Sequence, residues 1–122
     1  MKRILVVDDS PVARMSTVSI LQRTKRYALA EACDGRECVD KALADPPDLI
    51  LLDVVMPRMT GFQACEELRR HPQTEHVPVV LLTTRGEPVN VEQGYLVGCN
   101  EYLTKPVNGP ELLAKVESLL AG

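Results

Sequence analysis

Asp48 to Pro57 reads DLILLDVVMP. Leu49, Ile50, Leu51, Leu52 and Val54 form an apolar run broken by one carboxylate, Asp53, where the chain should leave its strand. A run this short, with no alternation of polar and apolar residues, fits a strand covered on both faces, as in a parallel sheet. That places Asp53 at the strand's C-terminal end, the edge at which open α/β sheets bind ligands. Taken alone, the same aspartate also fits a turn or a helix cap.

Working outward, the same design recurs. Ile4 to Val7 is an apolar run ending in Asp8-Asp9-Ser10-Pro11, which reads as strand, turn and helix, with Ser10 as cap and Pro11 in the first turn. That helix is expected to carry Val12, Met15, Val18 and Leu21 and to reach about Thr24. Tyr27 to Cys33 predicts an alanine-rich strand. Asp34 and Glu37 have capping-box spacing ahead of Cys38, Val39, Ala42 and Leu43, and Pro46-Pro47 ends that helix. Beyond the central strand, Thr60 and Gln63 form a second capping-box pair before Phe62, Cys65 and Leu68. Val77 to Leu82 predicts a fourth strand ending in Thr83-Thr84. Pro88 to Val97 predicts a short, mobile helix weakened by Gly94, with Glu87 a poor cap. Asn100 to Thr104 predicts a fifth strand before Lys105-Pro106. Asn108 and Glu111 then open a helix whose stripe is Leu112, Leu113, Val116, Leu119 and Leu120.

Five strands alternating with five helices predict a parallel sheet wrapped by right-handed crossovers, a doubly wound α/β domain. At 122 residues the chain is one domain of ordinary size, able to bury a core without disulfides or metal staples. A net charge of -3 without a basic patch argues against direct nucleic-acid binding. The short apolar run after Met1-Lys2-Arg3 is neither a signal peptide nor a membrane span, so the protein is expected in the cytoplasm and off the membrane. Cys33, Cys38, Cys65 and Cys99 show no CxxC pair and no zinc spacing, and each is read as a small buried apolar residue.

This topology gathers Asp8, Asp9, Asp53, Thr83 and Lys105 at the C-terminal edge of the sheet. Converging carboxylates repel one another unless a cation sits among them, and a hard divalent ion such as Mg2+ suits oxygen ligands. Asp9 and Asp53 are the direct candidates, with Asp8 in support and the backbone carbonyl of Val55 as a further oxygen. A carboxylate beside magnesium, with a lysine and a hydroxyl nearby, is equipped to accept a phosphoryl group. Asp53 is the expected nucleophile. Lys105 would pair with it at rest and with the phosphoryl oxygens afterwards, and Thr83 would donate to the same group.

The order Asp8-Asp9, Asp53 in LLDVVMP, Gly61, Thr83 in LLTT and Lys105-Pro106 in YLTKP resembles the receiver domain of two-component response regulators over essentially the whole chain. The resemblance implies a flavodoxin-like (βα)5 fold with sheet order 2-1-3-4-5 and a single receiver domain over residues 1–122 with no output domain. It further implies phosphorylation of Asp53 by a sensor histidine kinase, Mg2+ dependence, a switch pair Thr83 and Tyr102, a structural Gly61, and a cis Lys105-Pro106 bond. It resembles the single-domain regulators of chemotaxis and twitching motility, which implies work on an effector protein through the face of the fourth helix, fifth strand and fifth helix. A monomer, or a weak phosphorylation-dependent dimer, is expected. Val55 and Arg85 offer no carboxylate or amide to orient a hydrolytic water, so loss of phosphate is expected to depend partly on outside partners.

Four other readings compete. A flavin-binding protein on the same sheet would not place Asp8 and Asp9 against a phosphate. A phosphatase with an aspartyl nucleophile wants a second acid where Val55 stands. A receiver-like module that binds its partner without phosphorylation, or one that serves as a phosphate sink, keeps the fold and changes the role.

Overall fold

The computed structural model describes residues 1–84 and 87–121. The strands are β1 (Lys2–Val7), β2 (Tyr27–Ala32), β3 (Leu49–Asp53), β4 (Val79–Thr84) and β5 (Glu101–Lys105). Between and after them run the helices α1 (Pro11–Gln22), α2 (Gly35–Ala44), α3 (Gly61–Leu68), α4 (Val91–Leu96) and α5 (Gly109–Ala121). All strand pairs are parallel and the order is β2-β1-β3-β4-β5, as expected.

Every residue of β3 is buried, and the reason is visible in the two cores. Side chains alternate along a strand. Leu5, Val7, Ile50, Leu52, Val79 and Leu81 therefore face Cys38, Val39 and Ala42 of α2 and Ala64, Cys65 and Leu68 of α3. Ile4, Val6, Leu49, Leu51, Val80 and Leu82 face Val18 and Leu21 of α1 and Leu112 and Val116 of α5. Helices on both faces turn the strand pattern from alternating to continuous. The edge strands β2 and β5 are only partly buried, which explains the thinner apolar character of Tyr27 to Ala32.

Several local expectations are corrected. In α1 only Thr17, Val18 and Leu21 are buried, while Val12 and Met15 stand 78% and 68% exposed. A row of residues three apart rotates by about 60° per step in a helix of 3.6 residues per turn, so Val12 and Leu21 end on opposite sides. Cys33 is exposed at the end of β2, whereas Cys38, Cys65 and Cys99 are buried. Burial holds the thiol of Cys38 up to about 12 and that of Cys99 up to about 11, leaving both as neutral apolar groups. β4 starts at Val79 and β5 at Glu101, because the Asn100 side chain accepts from the Val79 N–H at 2.8 Å where a strand partner would.

The caps follow the sequence with two displacements. Ser10 accepts from the Ala13 N–H, and Thr60 with Gln63 completes a reciprocal box. Asp34 accepts from Glu37 N–H at 2.8 Å, but Glu37 reaches the N–H of Cys33 instead of closing on Asp34. α4 is short, as expected, and is capped by Asn90 rather than Glu87; Glu87 instead accepts from the Thr84 N–H.

Candidate functional site

The C-terminal edge of the sheet brings Asp8, Asp9 and Asp53 together. One oxygen of each lies within 4.8 Å of the others. Asp8 continues β1 and is 1% exposed; Asp53 ends β3 and is 2% exposed; Asp9 is open to solvent. The N–H of Asp8 is tied to the Ala32 carbonyl, and its side chain accepts from Ser10 N–H at 2.9 Å. Arg14, one turn into α1, returns to donate to the Asp8 carbonyl at 2.6 Å while also pairing with Glu31 of β2. The turn carrying two of the three acids is thus fastened from both sides.

Lys105, the last residue of β5, spans the pocket. Its Nζ lies 3.0 Å from Asp8 Oδ2 and 3.2 Å from Asp53 Oδ2. Burial alone would lower its pKa, yet the hydrogen bond to Asp8 and the charges of Asp53 and Asp8 outweigh it, and the ammonium is held above its usual value. For Asp53 burial is the dominant influence. It pushes the carboxyl up to about 7, with Lys105 opposing and the negative charges of Asp8 and Asp9 adding to the rise. An acid that resists ionisation beside two others, with one lysine in partial compensation, is a site short of positive charge. Three clustered carboxylates, all offering oxygen, fit a hard divalent cation.

Gly61 is the first residue of α3, and its N–H donates to the Val54 carbonyl at 2.8 Å. A Cβ there would stand 2.9 Å from Val54 Cα and closer still to the Asp53 carbonyl, so only glycine lets α3 begin against the end of β3. Val55, on the turn between them, exposes its side chain to solvent. The Lys105–Pro106 peptide is cis. Thr83 lies inside β4, opposite Thr104 in the register, and is half-buried. Tyr102 lies on β5 opposite Leu81, and its hydroxyl donates to the Val91 carbonyl of α4 at 3.0 Å. Arg85 lies outside the described residues.

Two residues that matter to this geometry were not singled out from the sequence. Arg14 carries no motif; only its position one turn after Asp9, facing the acidic end of β2, hints at the bridge it makes. Asn90 was legible, since it stands three residues ahead of Gln93 at the spacing of a cap.

A family model for the response regulator receiver domain matches residues 4–117. The chain belongs to that family. This receiver is 37% identical to protein PilH of Pseudomonas aeruginosa, with both chains covered in full. The structure of chemotaxis protein CheY4 of Vibrio cholerae superimposes with a TM-score of 0.90 at 37% identity, covering 98% of this chain and 99% of that one. The receiver domain of a sensor histidine kinase of P. aeruginosa, described with a magnesium ion coordinated in its active-site cleft, superimposes with a TM-score of 0.90 at 29% identity over 99% and 98% of the two chains. Other curated relatives are longer: the receiver spans 49% of one transcriptional regulator and 26% of another response regulator. It is therefore a receiver of two-component signalling, similar in structure to a chemotaxis protein, and none of its described helices is long and apolar enough to cross a membrane.

Proposed function

We propose that this receiver takes a phosphoryl group from a sensor histidine kinase on Asp53 and passes the change to a protein partner, as a cytoplasmic switch in chemotaxis or motility signalling. One observation carries the reading. A buried carboxylate at a strand end shares one lysine and two further acids, an arrangement with no structural purpose that an apolar core would not serve better. PilH, matched over its whole length, is the precedent for a receiver working without a further domain.

Asp9 and Asp53 would hold Mg2+, with Asp8 directly or through water and the Val55 carbonyl as another oxygen. The ion, when bound, neutralises charge on the transferred oxygens and keeps Asp53 ionised. An Asp53 carboxylate oxygen attacks phosphorus as the bond to the donor imidazole nitrogen breaks, leaving an acyl phosphate on Asp53 and a free histidine on the kinase. Lys105, already 3.2 Å from Asp53, shifts its charge to a phosphoryl oxygen. The Thr83 hydroxyl donates to the same group. The new group adds about two negative charges, and Thr83, drawn towards it, alters the space available to Tyr102. Tyr102 is bonded to α4, so movement there changes the face of α4, β5 and α5, where an effector would dock. The protein is expected to be monomeric, or to dimerise weakly once phosphorylated.

Incubation with a small acyl phosphate and Mg2+ should attach one phosphoryl group per chain, and Asp53→Asn should abolish it. Persistent labelling of that variant overturns the assignment of Asp53. If the wild type takes no label from donor or kinase, the chain is a binding module that works without phosphorylation.

A further inference from the structure

Of the six residues of α4 only Gly94 is buried. A glycine inside a helix weakens it relative to alanine, and α4 is too short to carry that loss without a return elsewhere. The return is spatial. A Cβ on Gly94 would lie 2.8 Å from Tyr102 Cζ and 2.9 Å from Leu81 Cδ1, and would overlap the Tyr102 hydroxyl outright. The phenol thus fills the place of the missing side chain. Its hydroxyl donates to the Val91 carbonyl, one turn earlier on the same helix. The ring of Tyr95 meets it edge-on, with centroids 5.5 Å apart and planes at 66°. Burial raises the Tyr102 hydroxyl to about 12, so it stays a neutral donor across physiological pH.

We propose that Gly94 is a positioning residue for Tyr102: its bare backbone forms the seat for the phenol and the Val91 carbonyl latches it, so that ring orientation and the placement of α4 become one variable. Any side chain at position 94 has to eject the ring or lift α4 away from β5. This rests on the reading of Tyr102 as the residue that reports phosphorylation, and it deepens that reading by naming what the tyrosine grips. It also adds to the hold on a helix whose Val91, Tyr95 and Leu96 are open to solvent, beside the packing of the flanking Val89 and Val97 on the core and the tie from Arg69 to the Gly98 carbonyl.

A stability cycle tests the seat without any phosphoryl chemistry. Gly94→Ala alone should raise the unfolding equilibrium constant about tenfold or more, since added bulk meets a filled space. With Tyr102→Ala already in place, the same substitution should lower it roughly fivefold, because the space is free and alanine favours the helix. Reversal of sign supports the seat, as does a Gly94→Ala chain that fails to fold alone but folds in the double variant. An equal effect in both backgrounds overturns it and assigns the space to Leu81 or to the backbone. A second readout adds a beryllofluoride phosphoryl mimic with Mg2+ and follows amide resonances. In the wild type, Tyr102 and α4 should shift together; in Gly94→Ala the residues around Asp53 should still respond while Tyr102 and α4 no longer move in concert. Concerted shifts in Gly94→Ala count against the seat. Absence of any shift around Asp53 in the wild type counts instead against the phosphoacceptor reading.

Discussion

The two ends of the proposed signalling route are built in opposite ways. Asp53 terminates a strand with no exposed residue, flanked by β1 and β4 and covered on both faces by helices. Tyr102 grips α4, a helix of six residues in which one glycine is buried while Val91 and Tyr95 are 50% and Leu96 is 78% exposed. A reacting carboxylate has to be held within fractions of an ångström, and packing on all sides supplies that. An element that answers the reaction has to move at small cost, and such elements come from the least stable part of a fold. In the proposed route, the 3.0 Å hydrogen bond from Tyr102 to the Val91 carbonyl would join the two regimes.

Stability measurements can break this comparison. The largest effect is expected for Leu51→Ala. Leu51 is wholly buried in the core it shares with Val18, Leu21 and Leu112, and the loss should be about 2–5 kcal/mol in a denaturant titration. A cost below about 1 kcal/mol would mean that the strand beneath Asp53 relaxes freely and is no rigid platform.

Next in size is a change of opposite sign at the acid itself. Its pKa lies at about 7 against an ordinary 3.8, so without metal the native state keeps a proton that the unfolded chain has released. Native Asp53 therefore subtracts stability as pH rises from about 4 to about 7, and the loss is complete above that range. Asp53→Asn removes the penalty while giving up one of the two partners of Lys105. We expect the metal-free variant to exceed the wild type by roughly 1–3 kcal/mol at pH 7, with the difference shrinking towards pH 4. Added Mg2+ should raise the melting temperature of the wild type more than that of the variant. A difference that stays flat with pH would show that burial does not burden Asp53, and the pocket would lose its claim to be held under strain of charge.

How much of this could be read from the residues follows the same division. Apolar runs ending in polar residues gave the parallel sheet and its acidic edge, because burial on both faces leaves a pattern that survives without any knowledge of neighbours, whereas the strand order came only with the resemblance to receiver domains. The pocket was legible because Asp8, Asp9, Asp53 and Lys105 each sit at a strand end. Faces of single helices were less legible. Val12 and Met15 look like core residues in a row of three-residue steps, yet stand exposed, and Thr17 takes a core place by donating its hydroxyl to the Ala13 carbonyl. Cys33 looks like its three buried namesakes but lies beyond the last paired residue of an edge strand. Gly94 reads in sequence as a mere weakness of α4. Its purpose depends on Tyr102, eight positions on and across a strand connection, a relation that no local pattern encodes.

The smallest effect is expected at the far end of the comparison. Leu96 closes α4 with 78% of its surface in water, so Leu96→Ser gives up almost no buried area and loses only a little helix propensity. Its stability should stay within about 0.5 kcal/mol of the wild type, and Asp53 should label at an unchanged rate. Together with the exposed Val91 and Tyr95, Leu96 forms an apolar surface that an effector would use in the proposed route. Binding of an effector to the phosphorylated or beryllofluoride-loaded protein should therefore weaken, measured by titration against the partner once it is in hand. A loss above about 1 kcal/mol in the isolated variant would place Leu96 in the fold rather than at its surface, and α4 would then be anchored as firmly as the strand that carries Asp53.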